Sequence, residues 1–301
     1  MNEERVVCFD IGGTNVKFGL LDKEGNIYNK NYFKTNINCG EEILNKMCEE
    51  IDTYMENNKV IGISISSPGF VNTETGIIED GTIIEGFIGL NAVKYFNDKY
   101  NLPVAIENDA NCATIAEHKL GNGRNCKNLA CVTIGTGIGG GIIINNEIYN
   151  GSKFMAGEFG FMFINNIGDK RPEEYIYSNY ASTRALVENA TKALDKDMDG
   201  KEIFDNANLG DEICESVLDN FYTNLAKGIY NLAYILNPDK ILLGGAISQQ
   251  ESLIEEVQNR LDYFTPSFSK SLNEYVKIDK CKFLNDAGLM GSLCNFVNKF
   301  N

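Results

Sequence analysis

The sequence predicts an α/β protein in which mixed sheets are covered by helices. Two observations support this class. Short apolar segments that are typical of strands alternate with longer segments of helical periodicity. In addition, residues 6–28 are repeated more loosely at residues 129–149, and each copy predicts an apolar strand, a tight turn and a second apolar strand. One such hairpin in each half of the chain indicates two lobes that hold one polyphosphate between them.

The remaining elements follow from local patterns. The helix at residues 41–56 has Ile43, Met47 and Ile51 at helical spacing, and the strand at residues 240–243 ends at two glycines. Asn, Gly, Asp and Pro predict a loop at residues 164–174. The predicted strands are the two repeat hairpins and residues 27–33, 59–66, 104–107 and 240–243. The predicted helices are residues 41–56, 90–100, 113–120, 182–194, 211–236, 251–263 and 286–300.

Composition excludes several classes of function. The chain has 42 acidic and 27 basic residues, which gives a net charge of −15 and argues against a nucleic-acid partner. No apolar segment approaches the ~20 residues that cross a bilayer, and the acidic start is unlike a secretory signal. The 9 cysteines form no CxxC pair and indicate a reducing cytoplasm. A single histidine, His118, cannot complete a zinc site with cysteines so scattered.

Both repeat hairpins have turns that suit phosphate binding, because glycine has no Cβ to keep a phosphate from the backbone N–H groups. The first turn is Gly12-Gly13-Thr14, preceded by Asp10, whose carboxylate can hold a metal-bound water. A plain glycine hairpin is the alternative. The second turn is Gly135-Thr136-Gly137 and formally matches the dinucleotide fingerprint. That fingerprint requires a helix at the glycines, whereas residues 141–144 are typical of a strand, so we prefer a second phosphate hairpin.

Three weaker motifs carry further polar or glycine residues. Residues 107–111 (ENDAN) end a strand and begin a helix, where Asp109 can be a general base and Asn108 can bind sugar hydroxyls. Helix capping by either residue is the alternative. Glu158, between small residues, can reach a ligand or can be an ordinary surface carboxylate. Gly244 and Gly245 after a strand would let an adenine lie flat on the backbone, although strand–Gly–Gly is also a frequent turn.

Together these motifs resemble the ROK family (repressors, open reading frames, sugar kinases) within the actin-like, hexokinase-type ATPases. The similarity runs from about residue 5 to about residue 293 in family order. The matching segments are DIGGTNVKFG, SSPGFVNTETGII, IENDANCATIAE, VTIGTGIGGGII, AGEFGFM and KILLGGAIS.

The resemblance implies two ribonuclease-H-like lobes with a ligand cleft between them. The expected domains are residues 1–115, with the C-terminal helix at 286–301 packing back on them, and residues 116–285. Asp109 is then the catalytic base, and Asp10 acts near Mg²⁺ through water. The implied sugar contacts are Asn108, Glu158, Pro68, Gly69 and Thr82. The implied ATP and phosphate contacts are Asp10, Gly12, Gly13, Thr14, Lys17, Gly135, Thr136, Gly137, Gly244 and Gly245.

Two departures from the family pattern concern zinc and the sugar. Phe161 stands where many members have a histidine that binds a structural zinc and the sugar, and the cysteine cluster that usually follows is missing. Ser178 stands where a glutamate commonly precedes a Tyr-Ala-Ser stretch. The resemblance is therefore to a zinc-free subgroup, with a changed contact to the sugar.

The sequence thus predicts an ATP-dependent kinase that phosphorylates a hexose or hexose derivative at O6, of the glucose or N-acetylmannosamine type. A β-glucoside (disaccharide) kinase or a fructokinase is the alternative. A non-catalytic sugar-sensing regulator of the same family is the competing class, but such regulators carry an N-terminal DNA-binding extension, and here the first strand begins at Arg5. ATP and Mg²⁺ are the expected cofactors, and a cytoplasmic homodimer is expected.

Overall fold

The computed structural model describes residues 4–300, which divide into two compact units. The first comprises residues 4–120, 150–156 and 285–300, and the second comprises residues 121–149 and 157–284. The predicted domain limits stay a prediction.

Groups of strands are followed by helices in each half of the described chain, as predicted. The strands are β1 (Glu4–Ile11), β2 (Asn15–Leu21), β3 (Ile27–Lys34), β4 (Lys59–Ser67), β5 (Phe70–Asn72), β6 (Ile77–Asp80), β7 (Val104–Asn108), β8 (Leu129–Ile134), β9 (Ile138–Ile144), β10 (Glu147–Ile148), β11 (Lys240–Gly244) and β12 (Lys277–Lys280). The α-helices are α1 (Gly40–Asn57), α2 (Ala92–Tyr100), α3 (Asp109–Leu120), α4 (Ser178–Ala181), α5 (Thr183–Leu194), α6 (Gly200–Asn208), α7 (Glu212–Leu236), α8 (Ser252–Phe264) and α9 (Ala287–Phe300). None of these helices is both long enough and apolar enough to span a membrane.

The two units contain sheets of the same topology. In the first unit the strand order is β3-β2-β1-β4-β7, and in the second it is β10-β9-β8-β11-β12. In each, the first three strands in sequence are antiparallel and the other two add in parallel. The repeat strands β1 and β8 occupy the same central place, so both are buried on both faces and are nearly continuous in apolar residues. The predicted mixed α/β class is confirmed.

Helix α9 belongs to the first unit and packs on its sheet and on α3. Small residues allow the close approach. A Cβ added to Gly291 would lie 1.8 Å from the carbonyl oxygen of Cys112, and one added to Gly62 would lie 2.1 Å from the ring of Phe296. The buried Ser64 hydroxyl donates a hydrogen bond to the Ser292 carbonyl at 2.7 Å. The C-terminal residues therefore complete the layer that covers strands β1, β4 and β7.

Several short elements were not predicted from the sequence, namely strands β5, β6, β10 and β12 and helices α4 and α6. Helix α6 carries a capping box in which the Asp199 side chain accepts from the Glu202 N–H while the Glu202 carboxylate accepts from the Asp199 N–H. Strand β12 pairs in parallel with β11 at the edge of the second sheet. It is short, with an apolar residue only at Ile278, so its pattern is too brief to distinguish it from a loop.

We expect Gly291→Ala to destabilise the protein. Alanine is the better helix former by about 1 kcal/mol, but the added methyl group would meet backbone that cannot rotate away, and overpacking of this kind typically costs about 1–3 kcal/mol or more. A lower midpoint of urea unfolding should result. Gly13→Ala is the control, because its Cβ would meet no atom within 4 Å. A Gly291→Ala protein at least as stable as the wild type would contradict this packing of α9 on α3.

Candidate active site

The turn of the β1–β2 hairpin is fixed by two hydrogen bonds to Gly12, and its apex is exposed. The Gly12 N–H donates to the Asn15 carbonyl at 3.0 Å, and the Thr35 hydroxyl donates to the Gly12 carbonyl at 2.6 Å. Gly13 and Thr14 are exposed. Gly13 has a negative φ and no neighbouring atom within 4 Å of an added Cβ. Neither backbone conformation nor packing inside the protein therefore requires glycine at position 13, which leaves an approaching ligand as a reason for it.

Asp10 lies at the carboxyl end of β1, where several groups orient its carboxylate. The Ser66 hydroxyl donates to Oδ1 at 2.8 Å, and the Lys17 ammonium lies 3.4 Å from Oδ2. Lys17 also donates to the Asn285 carbonyl at 2.9 Å. A Cβ on Gly288, in the first turn of α9, would lie 2.1 Å from Oδ1. The carboxylate thus lies against the first turn of α9, at the positive end of the helix dipole.

The structure begins helix α3 at Asp109, whereas the sequence predicted a start at Ala113. The reason is the cap supplied by Asn108. Its Oδ1 accepts from the N–H groups of Ala110 at 2.9 Å and Asn111 at 3.1 Å, and its Nδ2 donates to the Gly69 carbonyl at 3.0 Å. Asn108 therefore caps α3, and its proposed contact to sugar stays a prediction. Asp109 is exposed in the first helical turn, and its Oδ1 accepts from the Ala110 N–H at 2.8 Å.

The buried carboxyl group of Glu107 stabilises the first turn of α3. The sequence analysis did not identify this role. Glu107 Oε1 accepts from the Asn108 N–H at 2.8 Å and from Asn111 Nδ2 at 3.1 Å. Glu107 Oε2 accepts from Asn150 Nδ2 at 3.3 Å, and Asn111 Nδ2 also donates to Asn150 Oδ1 at 3.1 Å. Burial raises the pKa of Glu107, while these hydrogen bonds oppose the shift. The three side chains fix the backbone that presents Asp109.

The predicted sugar-side loop lies against Asn108. Gly69 has φ +102°, and a Cβ there would lie 2.5 Å from the Asp80 carbonyl and 3.3 Å from the Thr82 Cβ. Only glycine fits this position. The structure therefore brings Gly69, Thr82 and Asn108 together in the first unit, as a group of polar and backbone atoms beside Asp109. Pro68, which directly precedes Gly69, is partly buried.

The second hairpin is also a turn between antiparallel strands. The Gly135 N–H donates to the Gly137 carbonyl at 2.9 Å, and β9 begins directly at Ile138. No helix starts at these glycines, so rejection of the dinucleotide fingerprint is confirmed. Gly135, Thr136 and Gly137 are exposed. Like Gly13, Gly135 has a negative φ and no atom within 4 Å of an added Cβ.

Close contacts of its two neighbours in the chain hold the backbone at Glu158. Gly157 has φ +92°, and a Cβ there would lie 2.6 Å from the Gly140 carbonyl. Phe159 is buried, with its ring over Gly140. These contacts fix the backbone on both sides of Glu158 against strand β9. Burial raises the pKa of Glu158, so this carboxyl group takes a proton more readily than an ordinary surface glutamate.

Ser178 connects the second hairpin to the Glu158 segment. Its hydroxyl accepts from the Ile138 N–H at 2.9 Å, and a Cβ on Gly160 would lie 2.4 Å from the same oxygen. Ser178, which stands where the family commonly has a glutamate, therefore holds the first residue of β9. No short-range sequence signal identifies it, because Ile138 and Ser178 are 40 residues apart.

A cavity of about 590 Å³ opens beside the second hairpin. It is lined by Ile134, Gly135, Thr136, Thr183, Arg184, Val187, Glu188, Gly245 and Ala246. Gly245 has φ +92°, and a Cβ there would lie 2.0 Å from the Ile134 carbonyl, so glycine is required where the chain crosses the end of β8. Arg184, which the sequence reasoning missed, donates from Nε to the Thr136 carbonyl at 3.1 Å. Its partner Glu188, one helical turn on, lies 3.1 Å from Nη1.

The segment after Phe161 stands where many members of the resembled family have zinc ligands. Here a lysine and two asparagine side chains hold it. Lys227 donates to Asn165 Oδ1 at 2.7 Å and lies 3.4 Å from Asn224 Oδ1, and Asn165 Nδ2 donates to Asn224 Oδ1 at 3.1 Å. Phe161, at the position of the expected histidine, is 61% exposed. Within residues 4–300, no group of three or more His, Cys, Asp or Glu side chains could hold a metal ion.

A family model matches residues 6–298, nearly the whole chain. The chain belongs to the ROK family. It is 36% identical to a protein named beta-glucoside kinase from Listeria monocytogenes, across 99% of both chains. A solved structure from Listeria monocytogenes, described as a candidate N-acetylmannosamine kinase, is 36% identical and has a TM-score of 0.90, covering 99% of this chain and 100% of that one. A ROK glucokinase from Streptomyces griseus, solved with glucose and AMPPNP, is 25% identical with a TM-score of 0.79, covering 96% and 98%.

The buried carboxyl group of this ROK protein gives a pH-dependent prediction. Because the native pKa of Glu107 is raised above 4.5, the native state holds its proton more tightly than the unfolded state. The stability this provides is complete below pH 4.5 and is lost as the pH rises through the native pKa. Urea midpoints of the wild type, relative to those of Glu107→Gln, should therefore fall as the pH is raised from 4 to 8.

Glu147→Gln is the control for this experiment, because Glu147 is an exposed residue of the second unit. A pH dependence that is the same in wild type and Glu107→Gln would mean that Glu107 has an ordinary pKa.

Proposed function

We propose that the protein is an ATP-dependent sugar kinase that phosphorylates a hexose or hexose derivative at its O6 hydroxyl. The observation that carries the proposal is the exposed carboxylate of Asp109, set in the first turn of α3 by the Asn108 cap and by buried Glu107. A carboxylate held this way, directly after Asn108 and its contact with Gly69, supports the role of general base for an incoming hydroxyl. The sugar-kinase names of the relatives support the reaction class, and the AMPPNP complex supports ATP as the donor.

In the proposed reaction, Asp109 accepts the proton of the sugar hydroxyl while its oxygen attacks the γ-phosphorus and ADP leaves. Asn108, Pro68, Gly69, Thr82 and Glu158 would contact the sugar. The first hairpin, with Gly12, Gly13, Thr14 and Lys17, and the second, with Gly135, Thr136 and Gly137, would donate backbone, hydroxyl and ammonium hydrogen bonds to the phosphates. The cavity bounded by Thr136, Arg184 and Gly245 has the size and apolar lining for a nucleoside, with Gly244 and Gly245 beside the base.

Mg²⁺ is part of the proposal, and the residues present fit it. The oxygens of Asp10, Ser66 and Thr14 are hard ligands, and Mg²⁺ in phosphoryl transfer typically binds through one or two carboxylates, waters and the substrate phosphates. Asp10 would hold it through water. The ion would neutralise charge on the transferred phosphoryl group. We also propose that the protein is a cytoplasmic homodimer that binds no nucleic acid.

The relatives' names favour different sugars as the acceptor of the phosphoryl group. The relative named beta-glucoside kinase favours a β-glucoside, whereas the other two relatives favour N-acetylmannosamine or glucose. A coupled ADP-release assay with glucose, N-acetylmannosamine, fructose and cellobiose tests the reaction and ranks the acceptors. Failure to turn over any of them would favour the competing class, a sugar-sensing regulator.

Asp109→Asn should lower kcat by about 10²–10⁴-fold, the usual contribution of a general base. Asparagine keeps the size and the Oδ1 that accepts from the Ala110 N–H, so the variant should fold and still bind sugar. Steady-state kinetics measure the first effect, and a thermal-shift titration with sugar measures the second. A variant that retains full kcat would remove Asp109 from the role of base.

Gly13→Ala should keep the stability of the wild type and lose nucleotide binding. The added methyl group contacts no protein atom, but it would stand between the turn and a phosphate. A misplacement of the phosphate by about 1 Å can cost on the order of 10²-fold in kcat/KM. Kinetics at varied ATP measure this, with KM for sugar as the internal reference. Unchanged kinetics with ATP would argue against a phosphate at this turn.

A further inference from the structure

Two successive carbonyl groups of the second hairpin turn accept hydrogen bonds from the start of helix α5. The Gly135 carbonyl accepts from the Thr183 N–H at 2.9 Å, and the Thr136 carbonyl accepts from Arg184 Nε at 3.1 Å. Thr183 is the first residue of α5, and its N–H, like the others of a first helical turn, has no acceptor within the helix. The backbone and a side chain of one helix start therefore hold two neighbouring peptide units of the turn.

These contacts also fix the direction of two N–H groups. In a trans peptide the C=O and the N–H point in opposite directions, and both peptide units are trans. The Gly135 carbonyl shares its peptide unit with the Thr136 N–H, and the Thr136 carbonyl shares its unit with the Gly137 N–H. Both N–H groups thus point away from the donors on α5, and within residues 4–300 neither has a hydrogen-bond acceptor. Successive N–H groups arranged in this way suit an anion.

The guanidinium group of Arg184 is also held at its other nitrogens. Nη2 donates to Asn179 Oδ1 at 2.6 Å, and Nη1 donates to Glu188 Oε1 at 3.1 Å. Asn179 is itself fixed, because its Nδ2 donates to the Glu173 carbonyl at 2.8 Å. Since a guanidinium group is planar, these contacts set the direction of the Nε–H. Glu188 offsets the positive charge, so Arg184 meets the turn through a directed hydrogen bond from a paired cation.

The start of α5 is a firm support for these bonds. Ser182, which is buried, caps the helix, and its hydroxyl accepts from the Ala185 N–H at 3.1 Å. Tyr177, directly before α4, is also buried and donates to the Leu225 carbonyl at 2.7 Å. A Cβ on Gly228 of α7 would lie 2.2 Å from the Tyr177 ring. We therefore expect a change of the Arg184 side chain to affect the turn and not the helix.

We propose that Arg184 is a positioning residue for phosphoryl transfer, which holds the Thr136 peptide so that the Gly137 N–H faces a phosphate of the nucleotide. This inference rests on the proposed function and adds to it the side chain that sets the second turn. The N–H groups then meet the phosphate without reorienting, which is the advantage of preorganised donors. Arg184 acts through the backbone and is not itself a phosphate ligand.

A matched pair of variants separates the hydrogen bond from the charge. Arg184→Gln places an amide N–H where Nε stands, whereas Arg184→Met has a methyl group there and no donor. Both substitutions remove the positive charge and the contacts of Nη1 and Nη2. The difference between the two variants therefore measures the hydrogen bond to the Thr136 carbonyl.

Arg184→Met should lower kcat/KM for ATP by about 10–10²-fold, because a misplacement of about 1 Å can cost on the order of 10²-fold. Arg184→Gln should recover most of that loss. The ADP-release assay at varied ATP measures both effects, with the sugar that the wild type turns over fastest. KM for this sugar should stay at its wild-type value, and urea midpoints should change little, because an exposed ion pair adds little stability. Arg171→Met is the control and should change neither, since the Arg171 side chain is 83% exposed in the same unit.

Three outcomes would overturn the inference. Equal losses in the two variants would assign the role to the charge of Arg184, and unchanged kinetics in Arg184→Met would show that the turn does not depend on this bond. A lower urea midpoint together with a higher KM for sugar would indicate a general structural role. The proposed function stands in all three cases, because the wild type turns over sugar. A wild type that turns over no sugar would instead refute the proposed function, and the inference with it.

Discussion

The candidate site of the first unit depends on one buried carboxyl group. Glu107 is the residue before the last in β7, directly after three apolar residues, and burying an unpaired carboxylate there would be prohibitive. Its partners are the Asn108 N–H and the amides of Asn111 and Asn150. These hydrogen bonds offset part of the cost of burial, and they also determine where β7 stops and α3 starts. The same interaction that makes the burial tolerable therefore fixes the direction in which Asp109 is presented.

The two sheets share a topology but differ at the ends of their central strands. In the first unit Asp10 on β1 is paired in register with Ser66 on β4, and β4 pairs with the strand that ends at Asn108. In the second unit the equivalent pair is Thr133 on β8 and Gly244 on β11. One sheet thus ends in carboxylate, hydroxyl and amide groups, and the other in small residues beside a cavity. The first suits hydroxyl groups and a cation, and the second suits a flat base and phosphates.

The sequence was informative wherever the signal is local. The β-branched residues after the second glycine turn correctly predicted a strand, and the apolar periodicity correctly predicted most helices. The start of α3 was placed too late because the cap depends on the Asn108 side chain, which competes with other roles for asparagine. Glu107 with Asn150, Ile138 with Ser178, and Thr136 with Arg184 are pairs about 40 or more residues apart. Only the folded chain brings them together, so no pattern in one sequence predicts them.

The glycines of the site separate into two physical kinds. Gly69 and Gly245 have positive φ and would clash with carbonyl oxygens if they carried a Cβ, so the fold alone explains them. Gly13 and Gly135 have neither constraint. Glycine also costs more backbone entropy on folding than any other residue, so two glycines that the fold does not require weaken the protein without a structural return. Each is at an exposed turn between antiparallel strands, and the two turns belong to the two copies of the repeat. Close approach of a phosphate to the backbone is the reason that we propose for glycine at each turn.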